Sequence, residues 1–318
     1  MCYATDGPLK PRQNVVHYTC EMMRSQVETE RLHQQVKLAD GRKLGFAEYG
    51  DLEGRPLFYF HGWPSSRLEP RTGQRICAEL GLRLIAPDRP GHGLSDFKPR
   101  RTLLNWVNDV TELAGHLDLK RFAVLGVSGG GPYAAVCAWA IPDRLSAVVL
   151  ISSVAPADSP EATQGMVALN RWLFSFGRKT PWLAQYMAGF CLKAFWRKGE
   201  QVIPSQIELR LPAADRQALA SADLRDALIA SSKEALRGGV KGAAADGLLY
   251  TRPWGFRLED IRRPINLWHG EKDIVVPATM GRILSKAIPN CRATFCTDDG
   301  HFSLPSLRLE EILRTALT

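Results

Sequence analysis

FAVLGVSGGGPYAAVCAWA, residues 122–140, is the stretch that decides the fold. Its first five residues are an uninterrupted apolar run, as in a buried strand, and its last ten, GPYAAVCAWA, read as a helix. Between them lies Gly126-Val127-Ser128-Gly129-Gly130, a G-x-S-x-G turn. Small residues two before and two after Ser128 permit a strained strand-to-helix turn in which a larger side chain would collide. Such a turn projects the serine hydroxyl at the carboxyl end of a sheet, the arrangement called a nucleophile elbow. A glycine-rich dinucleotide loop is the competing reading, but its fingerprint needs glycine where Ser128 stands. Ser128 is therefore read as a nucleophile.

Outward from this stretch, short apolar strands alternate with helices. PLFYF (56–60), RLIAP (83–87), SAVVLIS (146–152), PINLWHG (264–270) and CRATFCT (291–297) read as strands. Helical stretches fall around GQRICAEL, along Leu103, Leu104, Val107, Val110, Leu113, Ala114 and Leu117, near 278–288, and at the end of the chain. This alternation predicts a mostly parallel sheet with helices on both faces. Two further strands around the Asp40-Gly41 turn are expected to add an antiparallel edge. The rhythm breaks between about 155 and 250, after the 146–152 strand, where the sequence is helical, aromatic and basic. Long connections in such folds are usually functional covers.

A serine hydroxyl needs a base to accept its proton. Of seven histidines, His301 follows the last strand and opens onto the last helix, so its loop can reach back across the carboxyl ends of the strands. His61, His92 and His269 fall in strand-end turns, where structural hydrogen bonding is the simpler role. The base in turn needs an acid to fix its tautomer. Asp273, after strand PINLW, gives the chain order Ser…Asp…His. Asp158, after the 146–152 strand, and Glu271, two residues away, remain alternatives. For the oxyanion, the backbone N–H groups of Gly129 and Trp63 are the candidate donors. Trp63 stands in the turn His61-Gly62-Trp63-Pro64, where Gly62 allows the sharp bend.

Composition removes other classes. The chain has 318 residues, 45% of them apolar and 23% charged, an ordinary globular balance. No apolar run approaches the length of a membrane span, and the start MCYATDGPLKPRQ has no apolar h-region. Seven scattered cysteines without a CxxC pair argue against a disulfide framework or a zinc site, and a cytoplasmic location is the simplest expectation. The net charge of +8 is concentrated. Residues 165–199 hold Arg171, Arg178, Lys179, Lys193, Arg197 and Lys198 with no Asp or Glu, and eight of the chain's aromatics. No helix-turn-helix, RNA-binding or zinc-finger pattern accompanies them, so nucleic acid is not an expected partner. Stripes such as Met166, Leu169, Leu173 and Phe176 predict a helical cap roofing Ser128. Trp63, Trp172, Phe176, Trp182 and Phe190 are its candidate pocket residues, and the cations predict a preference for anionic substrates or surfaces.

HGWPSSR (61–67), DRPGHGLSD (88–96), GVSGGGPYA (126–134), HGEKDIVVP (269–277) and Gly300-His301 occur in the order usual for the α/β-hydrolase fold superfamily. The chain resembles that superfamily over residues 35–318, and most of all its serine esterase-like members with a helical cap. The resemblance implies an eight-stranded, mostly parallel α/β sheet with helices on both faces, a helical cap inserted after strand 6, and a triad of Ser128, Asp273 and His301. It divides the chain into an N-terminal arm (1–30), a first core part (31–154), a cap or lid (155–250) and a second core part (251–318). The implied activity is hydrolysis of a small-molecule carboxylic ester or lactone through an acyl-serine intermediate, with no cofactor and no metal. Thioester cleavage, carbon–carbon bond hydrolysis or cofactor-free perhydrolysis on the same triad are alternatives, as is a non-catalytic ligand receptor. Asp-nucleophile epoxide hydrolases and dehalogenases are excluded by the serine in the elbow.

Overall fold

The computed structural model describes residues 31–156 and 208–317, together with Gln164, Met166, Arg171, Met187, Gly189, Phe190, Leu192 and Lys193. The arm 1–30 lies outside the described residues, as do Asp158, Trp172, Phe176 and Trp182.

Eight strands form one sheet among the described residues. They are β1 (Gln34–Lys37), β2 (Lys43–Gly50), β3 (Arg55–Phe60), β4 (Leu82–Pro87), β5 (Phe122–Val127), β6 (Leu145–Ile151), β7 (Ile265–Gly270) and β8 (Cys291–Cys296). Their order is β1-β2-β4-β3-β5-β6-β7-β8. β2 is antiparallel to both β1 and β4, and every other neighbouring pair is parallel. The expected antiparallel edge is present, turned by Gly41 at φ +87°.

The central strands are apolar on both faces because both faces are covered. In β5, Phe122 and Val124 join one core, whereas Ala123, Leu125 and Val127 join the other. β3 divides the same way, with Phe58 and Phe60 opposite Leu57 and Tyr59. The first core is closed by α2 (Leu103–His116), α3 (Gly131–Ala140) and α7 (Ala278–Ala287), through residues such as Trp106, Tyr133 and Met280. The second is closed by α1 (Gln74–Glu79) and α9 (Leu309–Thr315), through Cys77, Ile312 and Leu313. α2 begins with a reciprocal cap in which the Thr102 N–H donates to Asn105 Oδ1 at 2.8 Å.

Three helices stand between β6 and β7 in the described chain: α4 (Ala213–Leu219), α5 (Ala222–Ala235) and α6 (Lys241–Tyr250). Polar contacts fasten them to the turn after β3. Ser231 Oγ on α5 lies 2.7 Å from Ser65 Oγ and accepts the Ser66 N–H at 3.0 Å. Glu234 pairs with buried Arg67 at 2.8 Å, and Trp63 Nε1 donates to Ala243 O on α6 at 2.7 Å. A short α8 (Ser303–Leu307) precedes α9. No helix among the described residues is long and apolar enough to cross a membrane.

Candidate active site

Four turns converge at the carboxyl ends of β3, β5, β7 and β8, the edge where open α/β sheets place their ligands. The turn after β5 carries Ser128 at φ 53°, a left-handed conformation that a non-glycine residue adopts only under strain. Packing holds it there. A Cβ at Gly126 would stand 2.5 Å from the Gly130 carbonyl oxygen, and one at Gly130 would run into the Phe60 carbonyl. Position 126 is thus confined to glycine by its own turn, and position 130 by the neighbouring strand.

Ser128 and His301 line the same cavity, of about 560 Å³. His301 Nδ1 donates to Asp273 Oδ2 at 2.7 Å, and both side chains are buried. The other oxygen of Asp273 accepts the N–H groups of Val275 and Val276 at 2.9 and 2.8 Å, which fixes the carboxylate in one orientation. Burial opposes a charge on His301, but the bond and charge of Asp273, with the charges of Asp215 and Glu69, together outweigh it and raise the ring's pKa above its ordinary 6.5. His269 lies nearby with Nε2 against the Val276 carbonyl at 2.9 Å, and burial lowers its pKa. Glu271 faces away, bound to Arg282 at 2.6 Å, while Asp298 pairs with Lys272 and Asp299 with Arg308. The described carboxylate that meets His301 Nδ1 is Asp273.

The turn after β3 faces the elbow. A Cβ at Gly129 would lie 3.0 Å from Trp63 Cβ and 2.5 Å from the Tyr250 hydroxyl. The Gly62 N–H is committed to Glu69 Oε2 at 2.8 Å, with Tyr59 donating to the other oxygen. The Gly62 carbonyl accepts from Arg89 at 2.7 Å and from His61 Nδ1 at 3.0 Å. His61 Nε2 accepts the Arg89 N–H, which assigns its proton to Nδ1. Because N–H and C=O of a trans peptide point in opposite directions, this grip turns the Trp63 N–H away from Arg89.

Arg89 is fully buried and belongs to a network that DRPGHGLSD did not announce. Its Nε donates to Asp246 Oδ2 on α6 at 2.7 Å. Arg101 and the Tyr133 hydroxyl bind the other oxygen of Asp246, the latter at 2.6 Å. These two arginines hold the buried Asp246 carboxyl far below the usual range despite desolvation. His92 lies 3.5 Å from Asp246, and burial pushes its pKa down to about 4. Sequence reasoning also missed Asp215 on α4, which accepts the His301 N–H at 2.9 Å. Nothing in its local sequence marks either aspartate, because each meets its partners across tens of residues of chain.

The cavity wall includes Leu224 and Leu228 of α5, Val275 and Phe302. Its described charged residues are Glu69 and Asp223, with no Lys or Arg. Trp63 lines it while its indole nitrogen stays bound to α6. Phe190, expected in the pocket, is 67% exposed and is not part of the described wall. Of the basic stretch, Arg171 and Lys193 are exposed, and Arg178, Lys179, Arg197 and Lys198 lie outside the described residues.

A family profile described as alpha/beta hydrolase fold matches residues 55–305. The chain is 35% identical to a non-heme chloroperoxidase of Streptomyces lividans over 123 residues, 38% of this chain and 45% of that protein. It is 24% identical to the pimeloyl-[acyl-carrier protein] methyl ester esterase of Nitrosomonas europaea over 253 residues, covering 78% of this chain and 89% of the esterase. The match spans less than half the length of the chloroperoxidase. A thermophilic esterase from Thermogutta terrifontis superposes with a TM-score of 0.63 at 24% identity, over 89% of this chain and 98% of that one. At that identity the likeness is one of fold.

Proposed function

The chain belongs to the alpha/beta hydrolase fold family, and from that premise we propose that it is a serine hydrolase cleaving a neutral carboxylic ester or lactone through an acyl-Ser128 intermediate. The observation that carries this reading is the 2.7 Å bond from His301 Nδ1 to Asp273, in a cavity that Ser128 also lines. With Nδ1 committed, Nε2 is the ring nitrogen left to take the Ser128 proton as the hydroxyl attacks the carbonyl carbon. The proton then passes to the leaving alkoxide, and a water activated by the same ring releases the acid. The backbone N–H groups of Gly129 and Trp63 receive the developing oxyanion. The fixed Gly62–Trp63 peptide supports that role, since a donor oriented before the reaction needs no reorganisation during it.

Residues 155–250 act in this reading as the cap, and 31–154 with 251–318 as the core. α4 and α5 contribute Ala218, Leu224 and Leu228 to the cavity wall. The apolar wall favours an acyl group of several carbons over acetate, each buried methylene contributing up to ~0.8 kcal/mol. The carboxylates Glu69 and Asp223 on the described wall support a neutral substrate; Arg178, Lys179, Arg197 and Lys198, on which the expectation of an anionic one rests, lie outside the described residues.

Labelling with a serine-directed fluorophosphonate, followed by a p-nitrophenyl ester chain-length series, tests this reading. Label on Ser128 and kcat/KM rising from acetate towards hexanoate are expected. An unlabelled protein that turns over none of the esters would sink the hydrolase reading in favour of a ligand receptor.

A further inference from the structure

Asp215 stands on α4, in the segment between β6 and β7, and is fully buried. Its Oδ2 accepts the His301 N–H at 2.9 Å. Its Oδ1 accepts the N–H groups of Phe302 and Ser303 at 3.0 and 2.8 Å and the Ser303 hydroxyl at 2.7 Å. That hydroxyl in turn accepts the Gly300 N–H at 2.8 Å. One carboxylate therefore holds all four amides from 300 to 303, three directly and one through Ser303. A Cβ at Gly300 would collide with Oδ2, so the approach depends on glycine there. Among the described residues no Lys or Arg pairs with Asp215. A buried carboxylate without a cationic partner is costly unless amides and a nearby positive charge compensate it.

We propose that Asp215 is a positioning residue for His301, fixing the loop that carries the ring and setting a second carboxylate behind it. Asp273 orients the ring from its Nδ1 side; Asp215 orients the backbone from which the ring hangs. The groups facing His301 are Asp273 after β7, Asp215 on α4, Glu69 after β3 and the neutral His269 ring on β7. All three carboxylates favour the imidazolium that forms when the ring accepts a proton, and Asp215 adds to the field of Asp273. Asp215 does not line the cavity, so its influence falls on the ring and not on substrate contact.

The proposal rests on His301 being the general base, so His301→Ala is measured beside Asp215→Asn and Ser303→Ala. Rates are normalised to active sites titrated with fluorophosphonate or, for a variant that no longer labels, to folded protein. Asp215→Asn removes the charge and is expected to lower kcat about 10- to 100-fold, as misplacement of a reacting group does. KM should stay within about twofold, and the acid limb of the kcat/KM profile should move to lower pH. Ser303→Ala keeps the charge and loses one tether; kcat should fall by a smaller factor with the acid limb in place. It keeps the test decisive should Asp215→Asn not fold. An Asp215→Asn protein with parental kcat per active site and an unmoved acid limb, or a Ser303→Ala protein at parental kcat, overturns the positioning role while leaving the base assignment standing. Turnover retained by His301→Ala removes both together.

Discussion

Arg89 grips the Gly62 carbonyl at 2.7 Å, and that carbonyl shares its peptide plane with the amide of Trp63. A buried charge thus sets the direction of a neutral donor that it never touches. Lysine at this position supplies a single donor point in place of the planar fork that spans His61, Gly62 and Asp246. Arg89→Lys is expected to lower kcat by about 10²-fold, the scale of losing one oxyanion donor, with a smaller change in KM. Steady-state kinetics per titrated active site measure this, and a kcat within twofold of the parent would remove Arg89 from the oxyanion turn.

Ser128→Ala should abolish ester turnover and fluorophosphonate labelling and leave the fold intact, because the elbow is shaped by Gly126, Gly130 and the Phe60 carbonyl and not by the serine hydroxyl. The residual rate is that of the oxyanion contacts and binding alone. Circular dichroism and melting temperature check the fold, and near-parental turnover would show that another group attacks the ester.

His301 has its pKa raised: burial opposes the charge, but Asp273, helped by Asp215 and Glu69, outweighs it. The ring must be neutral to accept a proton, so kcat/KM should rise with pH through a midpoint above the ordinary histidine value of 6.5. Asp273→Asn removes the main raising charge and should shift the midpoint to lower pH while lowering the plateau. A parental midpoint below 6.5, or one unmoved by Asp273→Asn, would contradict the pairing as the source of the shift.

Stability should respond to acid with the opposite sign from His301. Burial lowers the pKa of His61, His92 and His269 below 6.5, to about 4 for His92. The unfolded chain takes up these protons below about pH 6.5 and the folded one does not, so stability is present above that pH and falls as pH drops towards 4. His92 alone accounts for roughly 3 kcal/mol across that window, at 1.36 kcal/mol per unit. The raised pKa of His301 stabilises the fold below 6.5 and loses that contribution as pH rises, which offsets only part of the acid effect. Thermal melts at pH 7, 5.5 and 4.5 should show a falling midpoint, and a constant one would mean that the buried rings protonate in place.

Local periodicity exposed every strand of the sheet, because β3, β5 and β6 are apolar on both faces and bounded by turn residues. The elbow was legible for the same reason, since glycines at 126 and 130 around a serine have a steric meaning within five residues. Asp273 and His301 were legible as an order along the chain, while the choice of Asp273 over Glu271 needed the Glu271–Arg282 pair in three dimensions. Asp215, Asp246 and Arg89 left no such trace. Each is an ordinary charged residue in sequence; Asp215 meets His301 across 86 residues, and Asp246 meets Arg89 across 157. Phe190 shows the converse, an aromatic at helical spacing that turned outward.

The segment α4–α6 reaches the core through buried polar seats: Asp215 under the His301 loop, Ser231 against Ser65 and Ser66, Glu234 on Arg67, and Asp246 between Arg89 and Arg101. Each seat is half of a pair whose other half belongs to the sheet domain. Exchanging this segment for one without these residues would strand two arginines without a counter-charge, at about 3–5 kcal/mol for a broken buried pair, and would release the loop that carries His301. The segment α4–α6 and the sheet beneath it are therefore coupled through shared charges. Wall positions such as Leu224 and Leu228 take part in none of these pairs, so substitutions there can reshape the cavity while every seat stays filled.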